Sequence, residues 1–157
     1  MSLLVFLFPF MQILRSLLLA SLCCLLLATH MAQSQAPVVR VIANTSVSSQ
    51  EISVEQIRRI FSMRQTLWPN NQPITVFVFT TQHETHQAFS TKVLGMFPYQ
   101  LDRIWNKLVY SGLGEEPIKV QSEHEMLEFV SQRPGAIGYV MGQVDGNAVN
   151  IIEVVKE

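Results

Sequence analysis

Residues 133–140 read Arg-Pro-Gly-Ala-Ile-Gly-Tyr-Val, a proline and glycine pair followed by an apolar run. Pro134-Gly135 indicates a turn, and the run predicts a strand from Ala136 to Met141. Gly138, inside this strand, indicates a close approach by a neighbouring part of the chain. A second run, Ile74 to Phe79 (ITVFVF), is nearly all apolar, which is typical of a strand buried on both faces.

Around these two strands, polar capping residues precede apolar positions at helical spacing. Ser53, Thr81 and Ser122 each stand three residues before Gln or Glu, which is the capping box of a helix N-terminus. Further strands are predicted over 38–43, 118–120 and 149–155. The resulting order is β-α-β-α-α-β-α-β-β, without an internal repeat or a linker that divides two domains. The fold class is therefore α/β, with most strands alternating with helices.

Residues 1–36 are predicted to be a signal peptide. Residues 1–28 contain a single charge, Arg15. Read from Met11 rather than Met1, the segment has the order of a signal peptide: a short basic start, an apolar run over 16–28 and a polar end. An uncleaved membrane anchor is the alternative, although the apolar run is shorter than the roughly 20 residues that a spanning helix needs. Both cysteines lie in this segment, so the domain predicted for residues 37–157 has no disulfide. We expect it to be periplasmic or secreted after cleavage.

The charge balance excludes a class of partner. The chain has 11 Lys and Arg against 12 Asp and Glu, for a net charge of −1, and no basic stripe. Nucleic acid is therefore not an expected partner.

Three stretches together carry a family resemblance: IFSMRQTLWPNNQPI (60–74), FSTKVLGMFPYQLDRIWNKLVYSG (89–112) and RPGAIGYV (133–140). They resemble the small, single-lobe relatives of the phosphate-binding component of ABC phosphate importers, within the type II periplasmic binding protein superfamily. The likeness spans about residues 38–155. It implies a three-layer-like single lobe, a mixed sheet flanked by helices, that binds phosphate or a similar oxyanion without covalent chemistry. Two glycines of the family pattern are replaced here, by Met63 and Asn71.

The resemblance also implies a binding loop after the strand Ile74–Phe79. Full-length family members carry an Arg-Ser-Asp-x-Ser-Gly-Thr-like loop there, and this chain has Thr80-Thr81-Gln82-His83-Glu84-Thr85. Thr80, Thr81 and Thr85 are candidate anion ligands, because free amides and the helix dipole favour negative charge at a helix start. The alternative is that Thr81 only caps the helix. Glu84 adds a negative charge, and the loop lacks the family's arginine and glycine.

A second candidate segment, Asn44-Thr45-Ser46, follows the first predicted strand. We expect it to face the same crevice as Thr80–Thr85, since ligands of open α/β sheets bind at strand ends. The alternative is a solvated loop.

No catalytic, metal or cofactor site is predicted. His83 and His86 are expected on one face of an exposed first helical turn, but no third metal ligand is fixed by spacing. The sequence has no nucleophile elbow and no glycine-rich phosphate loop, so we expect no enzyme activity.

Two functions stay open at this point. The first is an exported solute-binding-like protein, with a membrane permease as a possible partner and a homodimer as a way to replace a missing second lobe. The second is an envelope interaction or sensory module that kept the lobe and lost its ligand.

Overall fold

The computed structural model describes residues 38–144 and 146–156, so the predicted signal peptide lies outside the described residues. The strands are Val39–Ala43 (β1), Glu51–Ser53 (β2), Thr75–Phe79 (β3), Ile118–Val120 (β4), Ala136–Met141 (β5) and Asn150–Val155 (β6). The helices are Val54–Phe61 (α1), Glu84–Ala88 (α2), Pro98–Tyr110 (α3) and Glu123–Gln132 (α4), and a π-helical segment, Phe89–Val93, continues α2. The predicted strands and helices are confirmed, and β2 is an additional strand that the sequence pattern did not indicate.

The sheet has the strand order β2-β6-β1-β5-β3-β4. β1 pairs with β5 and β6 in the antiparallel sense, whereas β2 with β6, β5 with β3, and β3 with β4 are parallel pairs. Five strands therefore run in one direction and β1 runs against them. The carboxyl ends of the five lie at one edge of the sheet, and the carboxyl end of β1 lies at the opposite edge.

Helices cover both faces of the central strand β5. Gly138 faces α4, where a Cβ atom added to it would lie 2.4 Å from Met126 Sδ. The next residue, Tyr139, points to the other face because side chains alternate along a strand. Its ring stacks on Phe89 of the π-helical segment at 3.9 Å between centroids, and Phe61 of α1 lies 5.7 Å away. The predicted mixed sheet flanked by helices, in three layers, is confirmed.

The turn before β3 is fixed to the start of β5 through Trp68. Its indole nitrogen donates a hydrogen bond to the Gly135 carbonyl oxygen at 2.9 Å, and the ring is buried. Gly135 has a φ of +75°, and a Cβ atom there would lie 2.2 Å from the Pro73 carbonyl oxygen. The glycine is therefore required both by the backbone conformation and by the close approach of the two segments.

The two positions where the family pattern has glycine adopt the left-handed conformation here. Met63 has a φ of 60° and Asn71 a φ of 61°. Asn71 tolerates this conformation better than most residues, because its short polar side chain can bond locally, whereas Met63 carries the steric cost of its Cβ atom. Both positions thus have a backbone conformation that glycine adopts most readily.

Candidate functional site

The predicted ligand residues after β3 lie at the edge where five strands end. In open α/β sheets this carboxyl edge is where ligands bind. β3 ends at Phe79, and the amide of His83 donates to the Thr80 carbonyl oxygen at 3.0 Å, which closes a tight turn before α2 begins at Glu84. Thr80 and Thr81 are half-buried, and Thr85 is buried. Thr80, Thr81 and Thr85 are therefore brought together at the predicted edge.

The prediction that Thr81 caps the helix is wrong. The cap is His83, whose Nδ1 accepts a hydrogen bond from the Thr85 amide at 3.2 Å, while its ring stacks on Phe79 at 4.1 Å between centroids. The turn over 80–83 displaces the helix start by two residues, and the Thr81 hydroxyl instead donates to Asp102 Oδ2 of α3 at 2.8 Å. Thr81 therefore connects the turn to α3.

Thr85 also bonds to a carboxylate. Its hydroxyl donates to Glu123 Oε1 at 3.4 Å, and the same oxygen accepts the Met141 amide, at the end of β5, at 2.7 Å. Glu123 lies in the first turn of α4, where a negative charge is stabilised by the helix dipole. One carboxylate thereby joins α2, α4 and β5 at the carboxyl edge.

The side chains that bond the threonine hydroxyls at this edge are negatively charged. Asp102 and Glu123 accept the two threonine hydroxyls, and Glu84 is exposed at the start of α2. Within the part of the chain that the structure describes, neither Asp102 nor Glu123 forms a salt bridge. An anion at the turn would therefore compete with the protein's own carboxylates for the Thr81 and Thr85 hydroxyls.

A buried polar pair lies directly beneath the turn. His86 Nδ1 is 2.5 Å from the Tyr139 hydroxyl oxygen, which accepts the Phe79 amide at 3.1 Å, and His86 Nε2 lies 3.4 Å from Ser90 Oγ. Burial lowers the pKa of His86, against the opposing effect of Asp102, and burial raises the pKa of Tyr139. Burial thus favours the neutral imidazole, whose Nδ1 can accept the Tyr139 hydroxyl proton.

The expectation that His86 is exposed beside His83 is wrong. His86 lies on the same helical face as Phe89 and Val93, three and seven residues on, and this spacing was the available signal that it points inward. His83 and His86 face different partners, Phe79 and Tyr139. Within residues 38–144 and 146–156, no three His, Cys, Asp or Glu side chains are grouped so that they could hold a metal ion.

Asn44, Thr45 and Ser46 do not share the crevice with Thr80–Thr85, so that expectation is wrong. Because β1 is antiparallel to β5, its carboxyl end lies beside the start of β5, and the Asn44 amide donates to the Ala136 carbonyl oxygen at 2.9 Å. The threonines lie at the opposite edge of the sheet.

The side chains of this second segment serve the fold. Asn44 is buried, and its Nδ2 donates to the carbonyl oxygens of Val130 and Ser131 at 2.9 and 2.8 Å. Ser46 Oγ accepts the Gly135 amide at 2.9 Å. Thr45 is exposed. The segment therefore ties β1 to the end of α4 and to the turn before β5.

No protein-family model and no curated protein sequence matches this chain. Solved structures do match, and the fold that they share with this chain is the type II periplasmic binding protein-like fold. An ABC-type phosphate transport receptor from Vibrio cholerae aligns with a TM-score of 0.57 and 17% identity, covering 75% of this chain and 46% of that one.

Two further structures describe the same similarity. A phosphate ABC transporter substrate-binding protein from Clostridium perfringens, solved with bound phosphate, has a TM-score of 0.59 and 19% identity over 75% of this chain and 45% of that one. A phosphate-binding protein from Stenotrophomonas maltophilia has a TM-score of 0.53 and 17% identity over 77% and 40%. This chain spans less than half of the length of these proteins, and at such identities the likeness shows the fold alone. At that level it confirms the resemblance.

No helix within the described ranges is long and apolar enough to cross a membrane.

Proposed function

We propose that this chain is an exported, non-catalytic solute-binding-like protein that takes a small oxyanion such as phosphate. The observation that carries the proposal is the fold, which it shares over 75% of its length with proteins described as phosphate transport receptors and phosphate-binding proteins. The predicted signal peptide over residues 1–36, ahead of a domain over 37–157, supports export. A membrane permease is the partner that such a protein would serve.

The hydroxyl-bearing turn Thr80–Thr85 is the proposed ligand site. It lies at the carboxyl edge of the sheet, where its threonines and the amides at the start of α2 are close together. Binding would require Thr81 and Thr85 to turn their hydroxyls from Asp102 and Glu123 to the oxyanion. Because those carboxylates also repel an anion, we expect weak binding by the natural sequence and tighter binding once a carboxylate is neutralised.

Calorimetric titration of the purified protein with phosphate tests this site. Thr81→Val removes a hydrogen bond to a charged ligand and should weaken binding roughly tenfold. Asp102→Asn keeps an acceptor for Thr81 but removes a negative charge, and should tighten binding roughly tenfold. Thr45→Val, at the opposite edge, is the matched control and should change nothing. If neither the natural protein nor Asp102→Asn binds phosphate or another oxyanion, the proposal fails.

An envelope interaction or sensory module is the second candidate, and the site itself favours it. The hydroxyls of Thr81 and Thr85 are already bonded to protein carboxylates, as expected of a lobe that has lost its ligand. Apolar side chains are also exposed on α3 and at its two ends: Tyr110 is 87% exposed, Leu113 is 79% exposed, and Phe97 stacks with Tyr99. Tyr99 and Tyr110 are about three turns apart and share a helix face.

The second candidate makes a different prediction. A second copy or another envelope protein would cover the exposed side chains of α3, so the double variant Tyr110→Ser, Leu113→Ser should abolish association and leave the fold intact. Sedimentation of the purified protein measures self-association directly. A strictly monomeric protein that binds phosphate through Thr81 would rule this candidate out in favour of the first.

A further inference from the structure

A groove away from the threonine turn gathers positive side chains. It lies between α1 and the end of the π-helical segment and has a volume of about 400 Å³. Its lining consists of Val54, Glu55, Arg58, Lys92, Val93, Gly95 and Lys156. It continues into a larger groove of about 740 Å³ along β1 and β6, because Val54, Lys92, Val93 and Lys156 line both. None of these residues belongs to the turn Thr80–Thr85.

Arg58 is held in a fixed orientation at this groove. Its Nε donates to the Leu94 carbonyl oxygen at 2.6 Å, which leaves the terminal guanidinium nitrogens beside the groove. Gly95 makes room for them: it has a φ of +63°, and a Cβ atom there would lie 2.8 Å from an Nη atom of Arg58. A side chain at position 95 would therefore be strained and would displace the guanidinium.

The smaller groove has an excess of positive charge. Arg58, Lys92 and Lys156 are all exposed, and none forms a salt bridge within residues 38–144 and 146–156. The one carboxylate that lines the smaller groove, Glu55, lies 3.6 Å from Arg59, a residue that is not part of this lining. Like charges that line one groove repel each other, and an anion bound among them would offset this repulsion.

We propose that this groove binds a phosphate group, at a site separate from the threonine turn. A guanidinium fixed through Nε offers paired donors that match phosphate oxygens, and the two lysines supply mobile point charges. The volume lies within the range of small-ligand pockets. The adjoining larger groove, whose lining includes valines as well as Arg40, Glu51 and Glu153, leaves room for an organic substituent, so the phosphate group is either free or part of a lipid headgroup. The proposal does not depend on the function proposed above.

The test is a titration of the purified protein with inorganic phosphate, and in a second arm with vesicles of phosphatidylglycerol. The variant Arg58→Gln, Lys92→Gln should weaken binding in the responsive arm at least tenfold. Arg103→Gln, Lys107→Gln, which removes two exposed positive charges from α3 outside both grooves, is the matched control and should bind as the natural protein does. All of these side chains are exposed, so melting curves should show intact folds.

The outcomes separate this site from the proposed one. If the Arg58→Gln, Lys92→Gln variant loses phosphate binding and Thr81→Val keeps it, the groove is the binding site and free phosphate is its ligand. Vesicle binding with the same pattern supports the groove with a lipid headgroup. Phosphate binding that is lost in Thr81→Val and unchanged in the groove variant overturns this inference and leaves the proposed function standing. Binding in neither arm overturns it as well.

Discussion

His86 Nδ1 lies 2.5 Å from the hydroxyl oxygen of Tyr139, and both side chains are buried beneath the start of α2. The Tyr139 oxygen also accepts the amide of Phe79, the last residue of β3. Tyr139 of β5 thus connects β3, its neighbour in the sheet, to α2, the helix that carries Thr85. A proton added to the buried imidazole would place a positive charge in a desolvated site. We therefore expect the carboxyl edge to be sensitive to acid.

We predict that the protein loses stability as the pH falls below about 6.5. Burial lowers the pKa of His86 from its ordinary value of 6.5, so the unfolded state takes up the proton first. The stabilisation is therefore present above pH 6.5 and is lost as the pH falls toward and below the lowered pKa, with a slope of up to about 1.4 kcal/mol per pH unit. Urea unfolding at a series of pH values between 7.5 and 5 measures this slope.

The control for this prediction uses a second histidine, His124. His86→Gln should lower stability at pH 7.5 and flatten the pH dependence, whereas His124→Gln removes an exposed histidine and should leave both unchanged. An unchanged pH dependence in His86→Gln would show that another group controls the acid response.

Local patterns were sufficient to predict most elements of this fold. The apolar runs ending at Phe79 and beginning at Ala136 form strands, and Ser53 and Ser122 cap helices as predicted, with their side chains accepting amides three residues on. β2 was missed because its three residues contain one apolar position, Ile52, and form a strand only by pairing with β6. Its pairing partner lies about one hundred residues away.

The candidate site was harder to predict, because strand direction depends on such distant pairings. Nothing near Asn44 shows that β1 runs against β5, yet this direction alone places Asn44–Ser46 at the wrong edge for a shared crevice. The same holds for Asp102 and Glu123, which come from α3 and α4 to meet Thr81 and Thr85. The sequence pattern predicted that the threonines follow the end of a strand, but it could not show which side chains their hydroxyls bond.

Met63 offers a test of the cost of a left-handed backbone conformation at a residue other than glycine. At a φ of 60°, a residue with a Cβ atom bears a cost of roughly 1–2 kcal/mol that glycine avoids. Met63 also packs against the core, so Met63→Gly alone mixes two effects. Met63→Ala is the matched variant, and we expect the glycine variant to be more stable than the alanine variant by about 1 kcal/mol in urea unfolding. Equal stabilities would mean that the left-handed conformation is not the source of the cost.

Gly135 should be far less tolerant of substitution than Gly112. Both have positive φ, but a Cβ atom at 135 would lie 2.2 Å from the Pro73 carbonyl oxygen, whereas nothing lies within 4 Å at 112. Gly112→Ala should therefore cost only the conformational penalty of roughly 1–2 kcal/mol. Gly135→Ala should cost several kcal/mol more or prevent folding, because the clash is with backbone. Comparable melting temperatures for the two variants would contradict the close approach of the two segments.

Asn44 is predicted to be required for stability and dispensable for ligand binding. Its Nδ2 donates to two carbonyl oxygens at the end of α4, so Asn44→Asp would set a buried carboxylate against both acceptors. We expect a loss of about 3 kcal/mol or more, the size of an unpaired buried charge. Thr45→Ala, at the exposed neighbouring position, should lie within about 0.5 kcal/mol of the natural protein. Chemical denaturation measures both. The opposite result would be an Asn44→Asp protein that keeps its natural stability but no longer binds an anion. Asn44 would then have to contact the ligand directly, and the segment Asn44–Ser46 would belong to the ligand site.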